Sequence, residues 1–196
     1  MKEIILSILE AGIAAKRHCV ENNLDNIIKA ADMLVSCITS GNKILIFGNG
    51  GSAADAQHLA AEFVNRFQIE RPPLAAIALT TDTSVLTSIG NDYHFDEIFS
   101  KQIQALGKQG DIAWGISTSG NSPNVLRAVK TARKTGMETI GMTGRSGELA
   151  TIADLVFSVD SDITASIQET HITLGHILCY LMERKLYPEE FKRNGN

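Results

Sequence analysis

ILIFGNGGSAADAQHLAAE, residues 44–62, is the stretch of sequence that decides the fold of this chain. Its apolar beginning predicts a buried strand over residues 43–47. The glycines within residues 48–51 reach positive φ without steric penalty and predict a tight turn. Ser52 is the predicted N-cap of an alanine-rich helix over residues 53–67. A strand that leads through a glycine turn into a helix directs backbone N–H groups toward a bound anion.

Apolar strands and amphipathic helices alternate along the rest of the sequence, which predicts a parallel sheet with helices on both faces. Ligands of such folds bind beyond the carboxyl ends of the strands. We expect one three-layer α/β/α domain over residues 1–196, with a loose polar tail at residues 191–196. Two helices within residues 1–41 precede the sheet, and their apolar faces suit either the core or another subunit. The further strands are predicted at residues 74–79, 112–116, 139–142 and 155–159, and the further helices at 95–106, 125–134 and 164–186.

Charge and hydropathy argue against several classes of function. The 196 residues carry 18 Lys and Arg against 22 Asp and Glu, and the net charge of −4 argues against broad contact with nucleic acid. No stretch approaches the ~20 apolar residues of a membrane span, and the apolar run at residues 4–9 is too short for a signal peptide. Three widely spaced cysteines indicate reduced thiols. We therefore expect a cytoplasmic protein that binds neither nucleic acid nor membrane.

A second polar turn, STSGNS at residues 117–122, follows a predicted strand and precedes Pro123, a favoured first helical residue. Its hydroxyls and the free N–H groups of a helix N-terminus suit a phosphate without any Lys or Arg. Serines in such a turn often serve only to cap the helix. Four hydroxyls in six residues exceed the need of one cap, so the turn predicts a phosphate-binding loop.

His58 and Glu62 lie four residues apart on the predicted helix and therefore project from one face. Gln168 and His176 lie on adjoining faces of the last helix, since eight residues leave about 80° of net rotation. Imidazole, carboxylate and amide groups from two helices can hold a divalent ion, although an amide oxygen is an unusual zinc ligand. The alternative to a metal site is that His58 and Glu62 form a chance pair on the surface of the helix. His171 projects about 140° from His176 and is expected at the surface or in support of the ligands.

The glycine turn also resembles a dinucleotide fingerprint, because Gly48 to Ala53 matches G-x-G-x-x-A. Such a site needs an acidic residue about 20 residues further on, and neither Glu70 nor Asp82 fits that position. The sequence contains no G-x-x-x-x-G-K-[ST], which argues against P-loop nucleotide hydrolysis. A dinucleotide-dependent oxidoreductase is the weaker alternative.

Four motifs together resemble the phosphoheptose isomerases, members of the sugar-isomerase (SIS) family. They are GNGGSAADAQHLAAE, the GND of residues 90–92, STSGNS and IQETHITLGH, and the similarity covers nearly the whole chain. The resemblance implies a five-stranded, flavodoxin-like SIS fold, a cytoplasmic homotetramer and one Zn²⁺ per site. It also implies conversion of sedoheptulose 7-phosphate to D-glycero-D-manno-heptose 7-phosphate, in heptose biosynthesis for lipopolysaccharide or other glycans.

The resemblance assigns expected roles to the residues that match its motifs. Glu62 is expected to be the catalytic base and His176 its acid/base partner, with an enediolate intermediate. The expected metal ligands are His58, Glu62, Gln168 and His176. The expected substrate-binding residues are Asn49, Gly50, Gly51, Glu62, Asn91, Asp92, Ser117, Thr118, Ser119, Ser122 and Gln168.

One class of similar proteins consists of regulators rather than enzymes. SIS-domain regulators that bind the replication initiator DnaA resemble this chain through NRF, ERP and TTD, yet they lack the full acid/base set. Because this chain keeps Glu62 and His176, the sequence favours the enzyme over a non-catalytic regulator. Trp114-Gly115 in the third predicted strand departs from the isomerase pattern.

Overall fold

The structure is a computed structural model that describes residues 1–193 and contains one sheet of five strands. The strands are β1 (Ile44–Gly48), β2 (Ala76–Ala78), β3 (Ile112–Ser117), β4 (Glu138–Thr143) and β5 (Leu155–Ser158). They lie side by side in the order β2-β1-β3-β4-β5, and every neighbouring pair is parallel. This is the flavodoxin-like order, so the predicted five-stranded parallel sheet is confirmed.

Nine α-helices surround the sheet within residues 1–193, together with a short 3₁₀ helix at Phe95–Glu97. The helices are α1 (Lys2–Glu21), α2 (Leu24–Thr39), α3 (Gly51–Val64), α4 (Thr83–Asp92), α5 (Ser100–Leu106), α6 (Pro123–Lys134), α7 (Leu149–Ile152), α8 (Thr164–Leu186) and α9 (Pro188–Arg193). Helix α9 extends into the tail that the sequence predicts to be loose, and residues 194–196 lie outside the described residues.

The sheet separates two apolar cores, because alternate residues of a strand point to opposite faces. Ile44 and Ile46 of β1 pack with α1, α2, α3 and α8 on one face. Leu45 and Phe47 pack with α5, α6 and α7 on the other. Trp114 of β3 is fully buried in the first core. The predicted three-layer α/β/α fold, with two N-terminal helices ahead of β1, is confirmed.

The sheet brings two of the predicted loops to the same edge. Strands β1 and β3 are neighbours, and their register pairs Gly48 with Ile116. The glycine turn after β1 and the hydroxyl-rich loop after β3 therefore leave the sheet side by side. The connection that follows β1 leads to β2 on one side of β1, and β3 lies on the other side. This change of direction next to β1 opens a crevice at the carboxyl edge of the sheet.

One local expectation is wrong, and one helix was not predicted. Helix α3 begins at Gly51 rather than Ala53, because Gly50 turns the chain earlier with a φ of 56° and serves as the N-cap. Ser52, the predicted cap, instead lies buried in the first turn. The sequence also does not predict α4, whose N-cap Asp82 accepts a hydrogen bond from the N–H of Val85 at 3.0 Å. The hydroxyl-rich sequence of α4 lacks apolar residues that recur strongly at helical spacing.

Helices α3 and α8 run side by side in the same direction. Gly51 contacts Gln168, Leu59 contacts Gly175, and the backbone N–H of Phe67 binds the carboxylate of Glu183. The absence of a side chain at Gly175 permits this approach, because a Cβ there would lie 2.5 Å from Cδ2 of Leu59. This contact brings residues more than 100 positions apart in sequence to the same level of the structure.

The N-terminal helix is only partly covered. Residues of its second half, including Ala15 and Cys19, are buried in the first core. Residues 1–10 are all exposed, and this part carries a set of large apolar side chains: Ile4, Ile5, Leu6, Ile8 and Leu9. Among residues 1–193, no helix combines the length and the apolar character of a membrane-spanning segment.

Replacement of Gly175 by alanine tests the close approach of α3 and α8. The added methyl group would overlap Leu59, which is fully buried, so we expect the free energy of unfolding to fall by about 1–3 kcal/mol. Gly90→Ala is the matched control, because Gly90 is also helical and a Cβ there meets no atom within 4 Å. Urea denaturation of both variants checks the prediction, and an equal effect of the two substitutions would contradict it.

Candidate active site

Helices α3 and α8 bring two histidines and a carboxylate together. Nε2 of His58 lies 3.1 Å from Oε1 of Glu62 and 3.2 Å from Nε2 of His176. One potential ligand atom from each of the three residues lies within 4.8 Å of the other two. The sequence expectation that two distant segments converge here agrees with this geometry. We call these three residues the His/Glu cluster.

The surroundings of His176 favour its neutral form. Burial lowers the pKa of His176, the charge of His58 lowers it further, and Glu62 raises it. The imidazole ring also stacks on Phe67, with 5.4 Å between ring centroids and 29° between ring planes. A neutral imidazole can accept a proton or bind a cation, so His176 is suited to either role.

The glycine turn is joined to helix α6, which follows the loop after β3, by a pair of amides. Nδ2 of Asn49 donates to Oδ1 of Asn124 at 2.9 Å, and Nδ2 of Asn124 donates to Oδ1 of Asn49 at 2.9 Å. Oδ1 of Asn124 also accepts from the N–H of Val125. Asn124 is buried at the start of α6, so the pair fixes the glycine turn relative to that helix.

The predicted phosphate loop presents its hydroxyls to one another rather than to the helix that follows. Ser122 is the N-cap of α6, yet its side chain makes no capping hydrogen bond. Its Oγ lies 2.9 Å from Oγ of Ser117, which lies 3.4 Å from Oγ of Ser119. Thr118 and Ser119 line a cavity of about 250 Å³. This geometry favours an anion site over the alternative in which the serines only cap the helix.

Arg145 lines the same cavity and was not predicted from the sequence, where its only signal is its position after Gly144 in a glycine turn. Its guanidinium donates to Asp160 at 2.5 Å and to Asp162 at 2.9 Å. The hydrogen bond and the charge of Arg145 lower the pKa of Asp160. Two carboxylates already pair with the charge of Arg145. The loop of residues 117–122 contains no Lys or Arg, so it offers a ligand hydroxyl and N–H groups only.

His171 is not at the surface, which was one of its two expected places. It is fully buried, and its Nε2–H donates to the carbonyl of Thr143 at 3.1 Å. Its Nδ1 is buried without a hydrogen-bond partner among the described residues. Burial lowers the pKa of His171 to about 4. The neutral ring therefore supports the end of β4, next to the loop after β3.

Gln168, Asn91 and Asp92 are predicted site residues that belong neither to the His/Glu cluster nor to the loop of residues 117–122. The amide of Gln168 contacts Gly51, at the start of α3. Asn91 and Asp92 form the exposed last turn of α4, where Nδ2 of Asn91 donates to Oδ1 of Asp92 at 2.9 Å. Within the described part of the chain, no hydrogen bond joins these two residues to the glycine turn or to the hydroxyl loop. Their expected contacts with substrate stay predictions.

Asp55 is a further candidate that the sequence motifs contain but do not single out. Its Oδ2 is buried and has no hydrogen-bond partner among residues 1–193. Burial raises the pKa of Asp55, and the charge of His58 lowers it. The residue lies one turn before His58 on α3, so its carboxyl group is placed beside the cluster. Its spacing from His58 is the only sequence signal that could have identified it.

The His/Glu cluster fits a divalent cation. Two imidazole nitrogens and one carboxylate oxygen that converge within 4.8 Å form a common ligand set of zinc sites. His58 and Glu62 remain partly exposed, at 47% and 24% of their side-chain surface. An ion and a substrate can therefore reach them from solvent.

Comparisons with known proteins agree with the fold. The SIS domain family matches residues 9–144. The phosphoheptose isomerase of Nitratidesulfovibrio vulgaris is 54% identical over 187 residues, which are 95% of this chain and 90% of that protein. The structure of phosphoheptose isomerase GmhA from Neisseria gonorrhoeae has a TM-score of 0.87 and 46% identity, and covers 93% of this chain and 98% of that one.

A phosphoheptose isomerase from Francisella tularensis is similar to the same extent, with a TM-score of 0.89, 42% identity and coverage of 93% and 97%. The chain therefore belongs to the SIS domain family and, within it, to the phosphoheptose isomerases. The resemblance inferred from the four sequence motifs is confirmed.

The buried, neutral state of His171 predicts a loss of stability in acid. The unfolded chain takes up a proton near pH 6.5, whereas the folded chain does so only near pH 4. Stability is therefore complete above about pH 6.5 and falls as the pH drops toward 4, by about 2 kcal/mol at pH 5 from this group.

His171→Gln keeps a donor for the carbonyl of Thr143 but removes the titration. We expect the difference in unfolding free energy between pH 7 and pH 5 to be smaller in this variant than in the unmodified protein. His18→Gln is the control, since His18 is exposed on α1. Urea titrations at the two pH values decide the matter, and identical pH dependence in all three proteins would refute the assignment.

Proposed function

We propose that this chain interconverts sedoheptulose 7-phosphate and D-glycero-D-manno-heptose 7-phosphate, for the synthesis of heptose used in lipopolysaccharide or other glycans. The observation that carries the proposal is the convergence of Glu62 and His176 from two helices, in a chain 54% identical to a phosphoheptose isomerase. Incubation of the purified protein with sedoheptulose 7-phosphate, followed by NMR of the sugar, tests it. Formation of an aldose supports the proposal, and unchanged ketose refutes it.

The reaction needs a proton to leave one carbon and reach its neighbour through an enediolate. Glu62 is proposed as the base that removes this proton, because a positioned carboxylate can accept a proton from a reacting carbon. His176 is proposed to move protons at the sugar oxygens, and its lowered pKa supports a neutral imidazole that can accept one. Their shared contact with His58 supports a joint role at a single substrate position.

The phosphate of the substrate is proposed to bind the loop of residues 117–122. The convergent hydroxyls of Ser117, Ser119 and Ser122 support this, as does the N-terminus of α6 behind them. Helix α8 links the two ends of the site, since its Ile167 lines the cavity beside the loop and its His176 belongs to the cluster. A sugar held at its phosphate end can then present its carbonyl end to Glu62.

Zn²⁺ is proposed as the cofactor, with His58, Glu62 and His176 as ligands and Gln168 as a fourth. The donor set of the cluster supports three of them, and Gln168 rests on the motif resemblance. When bound, the cation would polarise a substrate oxygen and stabilise developing negative charge. Asn49, Gly50 and Gly51 are proposed to bind the sugar, and the amide pair with Asn124 supports a fixed position for Asn49.

The regulator that binds DnaA is the alternative function, and nothing in the site favours it. A protein that only tethers a partner has no need for two histidines and a glutamate that converge on one point. We propose that residues 1–196 act as one SIS domain in the cytoplasm and assemble as a homotetramer. The exposed apolar side chains at the start of α1 support assembly, because a monomer rarely leaves such a continuous patch in water.

Glu62→Gln removes the proposed base but keeps the size of the side chain. We expect kcat to fall by roughly 10²–10⁴-fold, as for the loss of a general base, while the circular dichroism spectrum stays unchanged. Glu138→Gln is the control, because Glu138 is an exposed glutamate at the start of β4, outside α3 and α8. Near-normal turnover by Glu62→Gln would exclude Glu62 as the base.

Charged substitutions on α1 test the proposed assembly. Ile5→Glu combined with Leu9→Glu places two charges on one face of the helix, and we expect the mass measured by light scattering to fall about two- to fourfold, as a tetramer separates into dimers or monomers. Ile163→Glu changes another exposed apolar residue, 54% accessible, that lies outside α1. An unchanged mass in the double variant would place the interface elsewhere.

A further inference from the structure

We infer that the buried ion pair between Arg71 and Glu183 positions Glu62 and His176 relative to each other. The inference rests on the proposed isomerase function and adds two residues that touch neither substrate nor cation. Both side chains are 1% exposed, and Nε of Arg71 lies 2.9 Å from Oε1 of Glu183. Arg71 follows α3 in the chain, and Glu183 lies near the end of α8.

Arg71 holds the end of α3 that carries Glu62. The last carbonyl groups of a helix lack partners within the helix. The guanidinium of Arg71 supplies them, with Nη2 donating to the carbonyl of Glu62 at 2.7 Å and Nη1 donating to that of Phe63 at 2.7 Å. The backbone of Glu62 is therefore bound directly to Arg71.

Glu183 holds the ring that packs against His176. Its Oε1 accepts from the N–H of Phe67 at 2.9 Å, and its Oε2 accepts from the N–H of Gln68 at 2.8 Å. The ring of Phe67 stacks on the imidazole of His176. Glu183 follows His176 by seven residues, about two turns, and so projects from the same face of α8.

The two sets of contacts meet at a single ion pair. One branch runs from Arg71 to the backbone of Glu62, and the other runs from Glu183 through Phe67 to His176. An apolar pair would stabilise the protein about equally well, because the cost of desolvating two charges largely offsets their attraction. The pair gives in addition four directed hydrogen bonds to backbone groups beside the cluster, which apolar side chains cannot provide.

The chain contains a matched control outside α3 and α8. Asp111 is fully buried and lies 2.6 Å from Nζ of Lys43. Like Glu183, it also accepts hydrogen bonds from two backbone N–H groups, those of Lys43 and Lys108. Asp111 precedes β3, and its hydrogen-bond partners Lys43 and Lys108 lie outside α3 and α8. Asp111→Asn therefore removes an equivalent charge without affecting α3 or α8 directly.

The experiment compares Glu183→Gln, Arg71→Lys and Asp111→Asn in the full chain. Glutamine keeps the size of Glu183 but not its charge, and lysine keeps the charge of Arg71 but not the planar guanidinium that reaches five acceptors. The readouts are the midpoint of urea unfolding and the kcat and KM for sedoheptulose 7-phosphate. A purely structural role lowers stability and leaves kcat per folded molecule unchanged.

We expect Glu183→Gln and Arg71→Lys to lower kcat by roughly 10- to 100-fold, the effect of misplacing a catalytic group by about 1 Å. KM should change little, because the phosphate loop lies on β3 and α6. Asp111→Asn should lose stability and keep its kcat. A kcat for Glu183→Gln equal to that of Asp111→Asn, at similar stability, would overturn the inference.

A crystal structure of Glu183→Gln separates this inference from the proposed function. We expect the distance between Nε2 of His176 and Nε2 of His58 to increase from 3.2 Å, with Glu62 displaced from His58. An unchanged cluster would overturn the positioning role. If the unmodified protein proves inactive on sedoheptulose 7-phosphate, the proposed function fails, and the crystallographic result alone decides the positioning role.

Discussion

The parallel contact between α3 and α8 is the constraint on which the rest of the site depends. Gly175 lets Leu59 come within reach of the α8 backbone, and at that level His58 and Glu62 of α3 meet His176 of α8. Both helices lie on the same face of the sheet and share its first core. A shift of either helix by one turn, about 5.4 Å, would separate the imidazoles and leave three unrelated surface residues.

The parallel sheet supplies the other end of the site. Because β1 and β3 are adjacent and in register, the turn that begins at Asn49 and the loop that begins at Ser117 emerge together. The reciprocal amide bonds between Asn49 and Asn124 then join the turn to the helix that follows the loop. Hydroxyls, amides and a helix N-terminus converge at this edge without a free cation from the loop itself. This arrangement suits a phosphate that must bind and leave again.

Buried polar groups stiffen the supports of the site. His171 is neutral because it is desolvated, and it donates to the carbonyl of Thr143 at the end of β4. Arg71 and Glu183 satisfy the carbonyl and N–H groups left free where α3 ends. Unpaired buried groups of this kind would be costly, so each pairing restricts the backbone to one position. A backbone that is held in this way keeps the His/Glu cluster in position, although its own side chains remain partly exposed.

The sequence by itself determined the alternation of strands and helices, the glycine turn, the hydroxyl loop and the residue types of the His/Glu cluster, because apolar period and turn chemistry are local properties. It did not determine α4, which depends on the cap by Asp82, nor the burial of His171. Only the tertiary structure decided which faces of α3 and α8 meet, since that depends on side-chain packing between residues more than 100 positions apart. For the same reason the sequence did not indicate the roles of Asn124 or of the Arg71–Glu183 pair. Their partners are distant in sequence, and hydrogen bonds across such distances leave no local sequence pattern.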